Sequence, residues 1–205
     1  DDQRLHRLSQ LTPVDLNSAR AMVLQIEALL GATRVGTIPL ADLAQATRGD
    51  QAAARVMLSV LEQAGLVQRH YDAPEHVLLR RGAGHRKGQP DSACMHFMHR
   101  VGLITHDSAN GAFVTLAAKS GIPLLELETT LLHWQEQGWL HYYPSGRSPL
   151  LSLPSSPGDG EARLARILEQ RSTAATQRAQ SIVDYAGATQ CRHGYLSNYL
   201  GSTPR

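Results

Sequence analysis

This 205-residue sequence predicts an α+β, mostly α fold, and three observations point there. First, the stretch 58–80, LSVLEQAGLVQRHYDAPEHVLLR, has a second version 73 residues later. Leu58, Leu61, Gly65, Leu66 and Val67 become Leu131, Trp134, Gly138, Trp139 and Leu140. The register runs backwards unbroken, with Leu40, Leu43 and Ala44 falling on Phe113, Leu116 and Ala117. A repeat of this length marks two copies of one supersecondary unit. Second, each copy carries an apolar pattern of helical period, a glycine stop, and then two short apolar stretches around turn residues. Third, 42% hydrophobic and 19% charged residues are ordinary for a globular chain. Short helix, turn, longer helix, glycine, strand, turn, strand is the order of a winged helix-turn-helix. Two such units in tandem are therefore expected, followed by a helical segment.

The elements divide as a connector over 1–11, a first unit over 12–81, a linker over 82–90 and a second unit over 91–154. A second linker over 155–160 and a helical segment over 161–205 follow. Thr12 and Pro13 open the first helix, a capping hydroxyl ahead of a proline at the first helical position. Gly31 stops it, 34–38 is extended, and 39–46 is the first helix of the turn motif. Gly49 makes the turn, and Asp50 caps the helix 51–63, whose Val56, Met57, Val60 and Leu61 face the core. After Gly65, 66–71 and 77–81 pair as a hairpin around Asp72, Ala73 and Pro74. In the second copy Asp91 caps a helix to Val101, 111–115 is a strand and 116–120 a short helix. The long helix runs over 124–137, and 139–143 and 149–153 flank a tip at Pro144, Ser145, Gly146 and Arg147. The last helix spans 161–185, with Leu164, Ile167, Leu168, Ile182 and Tyr185 on one side.

Several classes of chemistry are excluded. No apolar run reaches the ~18 residues of a membrane span. Two cysteines, Cys94 and Cys191, make no disulfide framework, so a reducing, cytoplasmic setting is expected. The glycine-rich 82–90 stretch lacks the phosphate-loop pattern, and there is no nucleophile elbow, no zinc-protease helix motif and no dinucleotide fingerprint. His96 and His99 sit three apart without a third ligand in reach and read as surface or packing histidines. No catalytic residue is expected in this chain.

A net charge of +2 permits nucleic-acid binding through local patches. In a helix-turn-helix the second helix enters the major groove while flanking residues hold phosphates. The first unit offers Gln51 and Arg55 on that helix, with Arg69, His70, Arg80 and Arg81 on its wing. In the second unit Glu126 and Glu128 repel phosphate and complement the helix N-terminus, but the wing carries His141, Tyr142, Tyr143 and Arg147. Aromatic faces beside a cation can stack on an unpaired base. Two readings without enzymatic activity fit tandem winged units: a dimeric transcription regulator, or a protein-interaction platform exposing Leu124, Leu125 and Leu127.

The stretch 185–201, YAGATQCRHGYLSNYLG, resembles the start of the zinc module of RecQ-family DNA helicases. Cys191, Arg192, Leu196, Tyr199 and Gly201 match that module's pattern, His193 and Leu200 are near substitutions, and Ser197 and Ser202 depart from it. Two winged units ahead of the module resemble the divergent bacterial members. The resemblance implies the C-terminal region of an ATP-dependent helicase moving 3′ to 5′, with motor domains binding ATP and Mg²⁺ N-terminal in the same polypeptide. It implies Zn²⁺ in the full-length protein, with Cys191 the first of four thiolate ligands, and adds Arg192 to the DNA contacts. The implied partner is duplex, forked or junction DNA, and the implied place is the bacterial cytoplasm, at the nucleoid.

Overall fold

The computed structural model describes residues 15–48, 50–82, 88–156, 158–187 and 192–201. The first repeat contains α1 (Leu16–Leu30), β1 (Val35–Thr37) and α2 (Leu40–Leu43), which continues as a 3-10 turn over Ala44–Thr47. It goes on to α3 (Gln51–Ala64), β2 (Gln68–Ala73) and β3 (His76–Arg81). The second repeats that order: α4 (Ser92–Val101), β4 (Ser108–Ala112), α5 (Phe113–Ser120), α6 (Leu124–Glu136), β5 (Leu140–Ser145) and β6 (Ser148–Ser152). A long helix, α7 (Gly160–Gly187), and a short one, α8 (Arg192–Tyr199), follow. The protein is thus α+β, dominated by helices, with two small antiparallel sheets.

Local chemistry sets the helix ends. The carboxylates of Asp15, Asp50 and Asp91 each accept backbone N–H bonds at a helix N-terminus, from Ser18 at 2.7 Å, Ala52 at 2.8 Å and Cys94 at 2.7 Å. Asp15 does the capping assigned to Thr12, and Thr12, Pro13 and Gly49 lie outside the described residues. The 73-residue repeat is visible in the stops of α3 and α6. Gly65 and Gly138 both take a left-handed φ, +73° and +75°. The amide after each reaches back to an equivalent carbonyl, Leu66 to Leu61 and Trp139 to Trp134, both at 3.0 Å. The second copy's strand and short helix lie slightly earlier than expected, at Ser108–Ala112 and Phe113–Ser120.

The expected hairpins do not form. One sheet has the order β1-β6-β2 and the other β4-β3-β5, so β2 pairs with β6 and β3 with β5. The pairing runs in one register along 68–81 against 140–152, from Ala73 opposite Ser148 to His76 opposite Ser145, broken only by a bulge between Arg69 and Asp72. Each repeat has given its last strand to the other. Part of the reason lies in the link between β2 and β3, Pro74 and Glu75. A two-residue hairpin turn needs positive φ at its first central position. Proline is fixed near −65°, so the chain runs on extended. Gly146 and Arg147 link β5 to β6, and Gly146 does take φ +67°, yet those strands diverge as well. A side chain at Gly146 would meet the Glu75 carboxylate at 2.8 Å.

The exchange sorts residues between two cores. Leu151 of β6 joins the first, with Met22, Ile26, Met57, Leu61 and Val67. Its neighbour Leu150 joins the second, with Leu79, Phe97, Phe113, Leu131 and Trp134. Alternation puts successive strand residues on opposite faces, so β6 is buried on both. The first part of α7 packs on the first core through Leu164, with Ile167 and Leu168 beside it. Ile182, expected on the same side as Leu164, is 53% exposed. Arg163 fastens this helix to α3 by donating to the Ala64 carbonyl at 2.9 Å.

Because each core closes on a strand of the other repeat, the two melt together. Leu61→Ala, a cavity in the first core costing about 2–5 kcal/mol, is expected to lower the unfolding midpoint read by Trp134 and Trp139 fluorescence from the second. An unchanged tryptophan transition beside a shifted helical signal contradicts the shared architecture.

Candidate nucleic-acid interface

Two exposed surfaces gather the polar and basic side chains that the sequence singles out. The first is the solvent face of α3. Its buried side carries Ala53, Ala54, Met57, Leu58, Val60, Leu61 and Ala64, leaving Gln51, Ala52, Arg55, Val56 and Ser59 outside, with Glu62 and Gln63 exposed at its C-terminal end. Val56, expected in the core, is 42% exposed at the border of the apolar stripe. Arg48, also exposed, stands just ahead of this helix in a left-handed conformation with φ +57°. The Thr47 hydroxyl ties the turn by donating to the carbonyls of Ala44 and Asp50, at 3.1 and 2.9 Å.

The second surface is the open face of the β4-β3-β5 sheet. Leu79 stands opposite Tyr142 and Ala109 on the core side. The alternate positions therefore point outward. Leu78 lies between Tyr143 and Asn110, and Arg80 between His141 and Ser108. The Arg80 guanidinium sits over the Tyr143 ring, 5.9 Å from its centroid, and the His141 ring lies 6.4 Å from the same tyrosine. Arg80, His141 and Tyr143, which the sequence places on two separate wings, are brought onto one surface by the strand exchange. Leu78, Ser108 and Asn110 were missed, because only the observed pairing makes them neighbours.

Other candidates are committed elsewhere. Tyr142 is buried, and its hydroxyl donates to the buried Glu128 carboxylate at 2.8 Å. Arg147 holds the same carboxylate at 2.7 Å and donates to the Asp72 carbonyl at 2.6 Å. Glu128 thus anchors the crossing of the exchanged strands, a different role from complementing a helix N-terminus. Ser148 donates to Glu75 at 2.5 Å in the same cluster, while the buried Tyr71 hydroxyl has no hydrogen-bond partner among the described residues. Arg69 is paired with Asp72 at 2.8 Å, and His70 shares a 2.8 Å hydrogen bond with the Ser152 hydroxyl. Arg81 is exposed on the opposite side of β3 from Arg80.

Arg192 opens α8, and Cys191 lies outside the described residues. Among the described residues no three His, Cys, Asp or Glu side chains converge as a metal site. A lone thiolate does not supply the four ligands of a structural zinc. The patch expected of a protein platform is not assembled as predicted, since Leu127 is buried and Leu124 half-buried. Among the described residues no helix is long and apolar enough to cross a membrane. Comparison with protein-family models, curated proteins and solved structures finds no match to this chain.

Burial, then the bond to Glu128, raises the ionisation of Tyr142 from its ordinary 10.0, and burial pushes the Cys94 thiol from 9.0 up to about 12. The unfolded chain therefore loses these protons first. The stability they contribute is whole below about pH 9 and is lost as pH rises. The denaturation midpoint is expected to fall between about pH 9 and 11, and to fall less steeply in Tyr142→Phe. Equal slopes in both proteins contradict the buried Tyr142–Glu128 bond.

Proposed function

We propose that this chain is a DNA-binding region made of two winged helix-turn-helix units that share their sheets. It serves as the C-terminal accessory region of a RecQ-like ATP-dependent 3′–5′ helicase, gripping duplex or forked DNA and aiding strand separation. The observation that carries the DNA-binding part is the solvent face of α3. The second helix of a helix-turn-helix lies in the major groove, its N-terminal residues at the base edges. In this chain that position belongs to Gln51 and Arg55, whose side chains suit adenine and guanine edges. Val56 beside them offers methyl contact, and Arg48 a cation for the adjacent phosphate. The equivalent helix of the second unit, α6, exposes Leu125, Glu126 and Leu132 instead, a surface unsuited to a polyanion.

The helicase context rests on the likeness of 185–201 to the RecQ zinc module. Zn²⁺ beginning at Cys191, ATP and Mg²⁺ at N-terminal motor domains, and a nucleoid location come with that context. The catalytic chemistry belongs to those domains, and the part given to this chain is grip and orientation.

Fluorescence anisotropy with a labelled duplex and a labelled fork, between 50 and 200 mM salt, tests the reading. The affinity is expected to fall steeply with salt, because binding releases phosphate counterions and added salt makes that release less favourable. Arg55→Ala is expected to weaken duplex binding by about tenfold, the loss of one good base or phosphate contact. Binding that ignores salt, or no binding to either DNA, contradicts it.

A further inference from the structure

We infer that the open face of the β4-β3-β5 sheet is a stacking platform for unpaired nucleobases of a single DNA strand, a second site separate from α3. It rests on the DNA-binding reading above and assigns this face its substrate. Three flat groups lie together: the Tyr143 ring, 49% exposed, the Arg80 guanidinium over it at 5.9 Å, and the His141 ring at 6.4 Å. Ring faces and guanidinium planes stack on any base, because every base has a π face. Leu78 forms an apolar floor next to Tyr143, and Asn110 on its far side presents both a donor and an acceptor to a base edge.

Charge and shape select the occupant. None of the outward-facing positions on the three strands is an aspartate or glutamate, whereas Arg80 is a permanent cation. A polyanion is therefore met without repulsion. The major groove admits a helix or a two-stranded ribbon. Three strands side by side, about 10 Å between the outer two before side chains are added, form a surface too broad to enter it. The bases that reach this face are those already out of a duplex. An acidic protein segment would also meet the charge, but would gain nothing from clustered stacking planes.

The test uses the 205-residue chain with three probes of equal length: an oligothymidylate, a strand of abasic sugar-phosphate, and a duplex. The oligothymidylate is expected to bind more tightly than the abasic strand. Tyr143→Ala is expected to weaken oligothymidylate binding about five- to a hundredfold, as loss of one base–aromatic stack does, while Tyr143→Phe restores it. Arg80→Ala is expected to lower the log–log salt slope for the single strand by about 0.7. Duplex affinity is expected to follow Arg55 and to ignore Tyr143. An abasic strand that binds as tightly as the oligothymidylate, or single-strand affinity unchanged by Tyr143→Ala, overturns the platform. Loss of duplex binding with the stacking effect intact overturns only the role of α3. Binding of an acidic peptide in place of every nucleic-acid probe overturns both.

Discussion

Neither sheet can be completed by the repeat that begins it. β1 and β2 flank a gap that only β6 fills, and β4 and β5 flank one that only β3 fills. Buried backbone amides and carbonyls must find partners, so the two repeats are obliged to fold against each other. The constant register across both links places Pro74 against Arg147, which are equivalent positions of the 73-residue repeat. The molecule therefore has an internal pseudo-two-fold axis there, the kind of self-complementary contact that joins two copies in a symmetric dimer. Here one chain supplies both copies.

The polar cluster at that axis fixes the alignment. A one-residue slip of β6 would turn Leu150 toward the first core and Leu151 toward the second, exchanging the two faces. Arg147, reaching both the Glu128 carboxylate and the Asp72 carbonyl, ties the β5–β6 link to α6 and to β2 at once. Glu128 tolerates burial because Tyr142 and Arg147 both donate to it, and a buried carboxylate is stable only with such partners. The same arrangement buries Tyr142 and commits Arg147 to Glu128 and Asp72. It leaves Tyr143 and Arg80 facing solvent, so the cluster that sets the register also decides which side chains can bind.

Much of this was legible in the residues. The repeat, the Asp50 and Asp91 caps, the Gly65 and Gly138 stops and the order of elements are local signals that tertiary contacts did not override. Pairing partners are not local. Asp72, Ala73 and Pro74 read as turn residues, although proline's fixed φ suits no two-residue hairpin. Gly146–Arg147 has hairpin chemistry of its own, with no sign that β5 and β6 separate. That non-local choice is why Arg80, His141 and Tyr143 were identified singly and their common surface was not. Val56 misled for a different reason: helical periodicity marks which residues share a face, and a valine at the border of the apolar stripe is equally consistent with either side.

Cross-strand nuclear Overhauser effects on uniformly labelled protein test the exchange most directly. Strand exchange predicts contacts between Leu78 and Tyr143 and between Gln68 and Ser152, with none joining β2 to β3. A ladder of contacts between β2 and β3, or between β5 and β6, contradicts it.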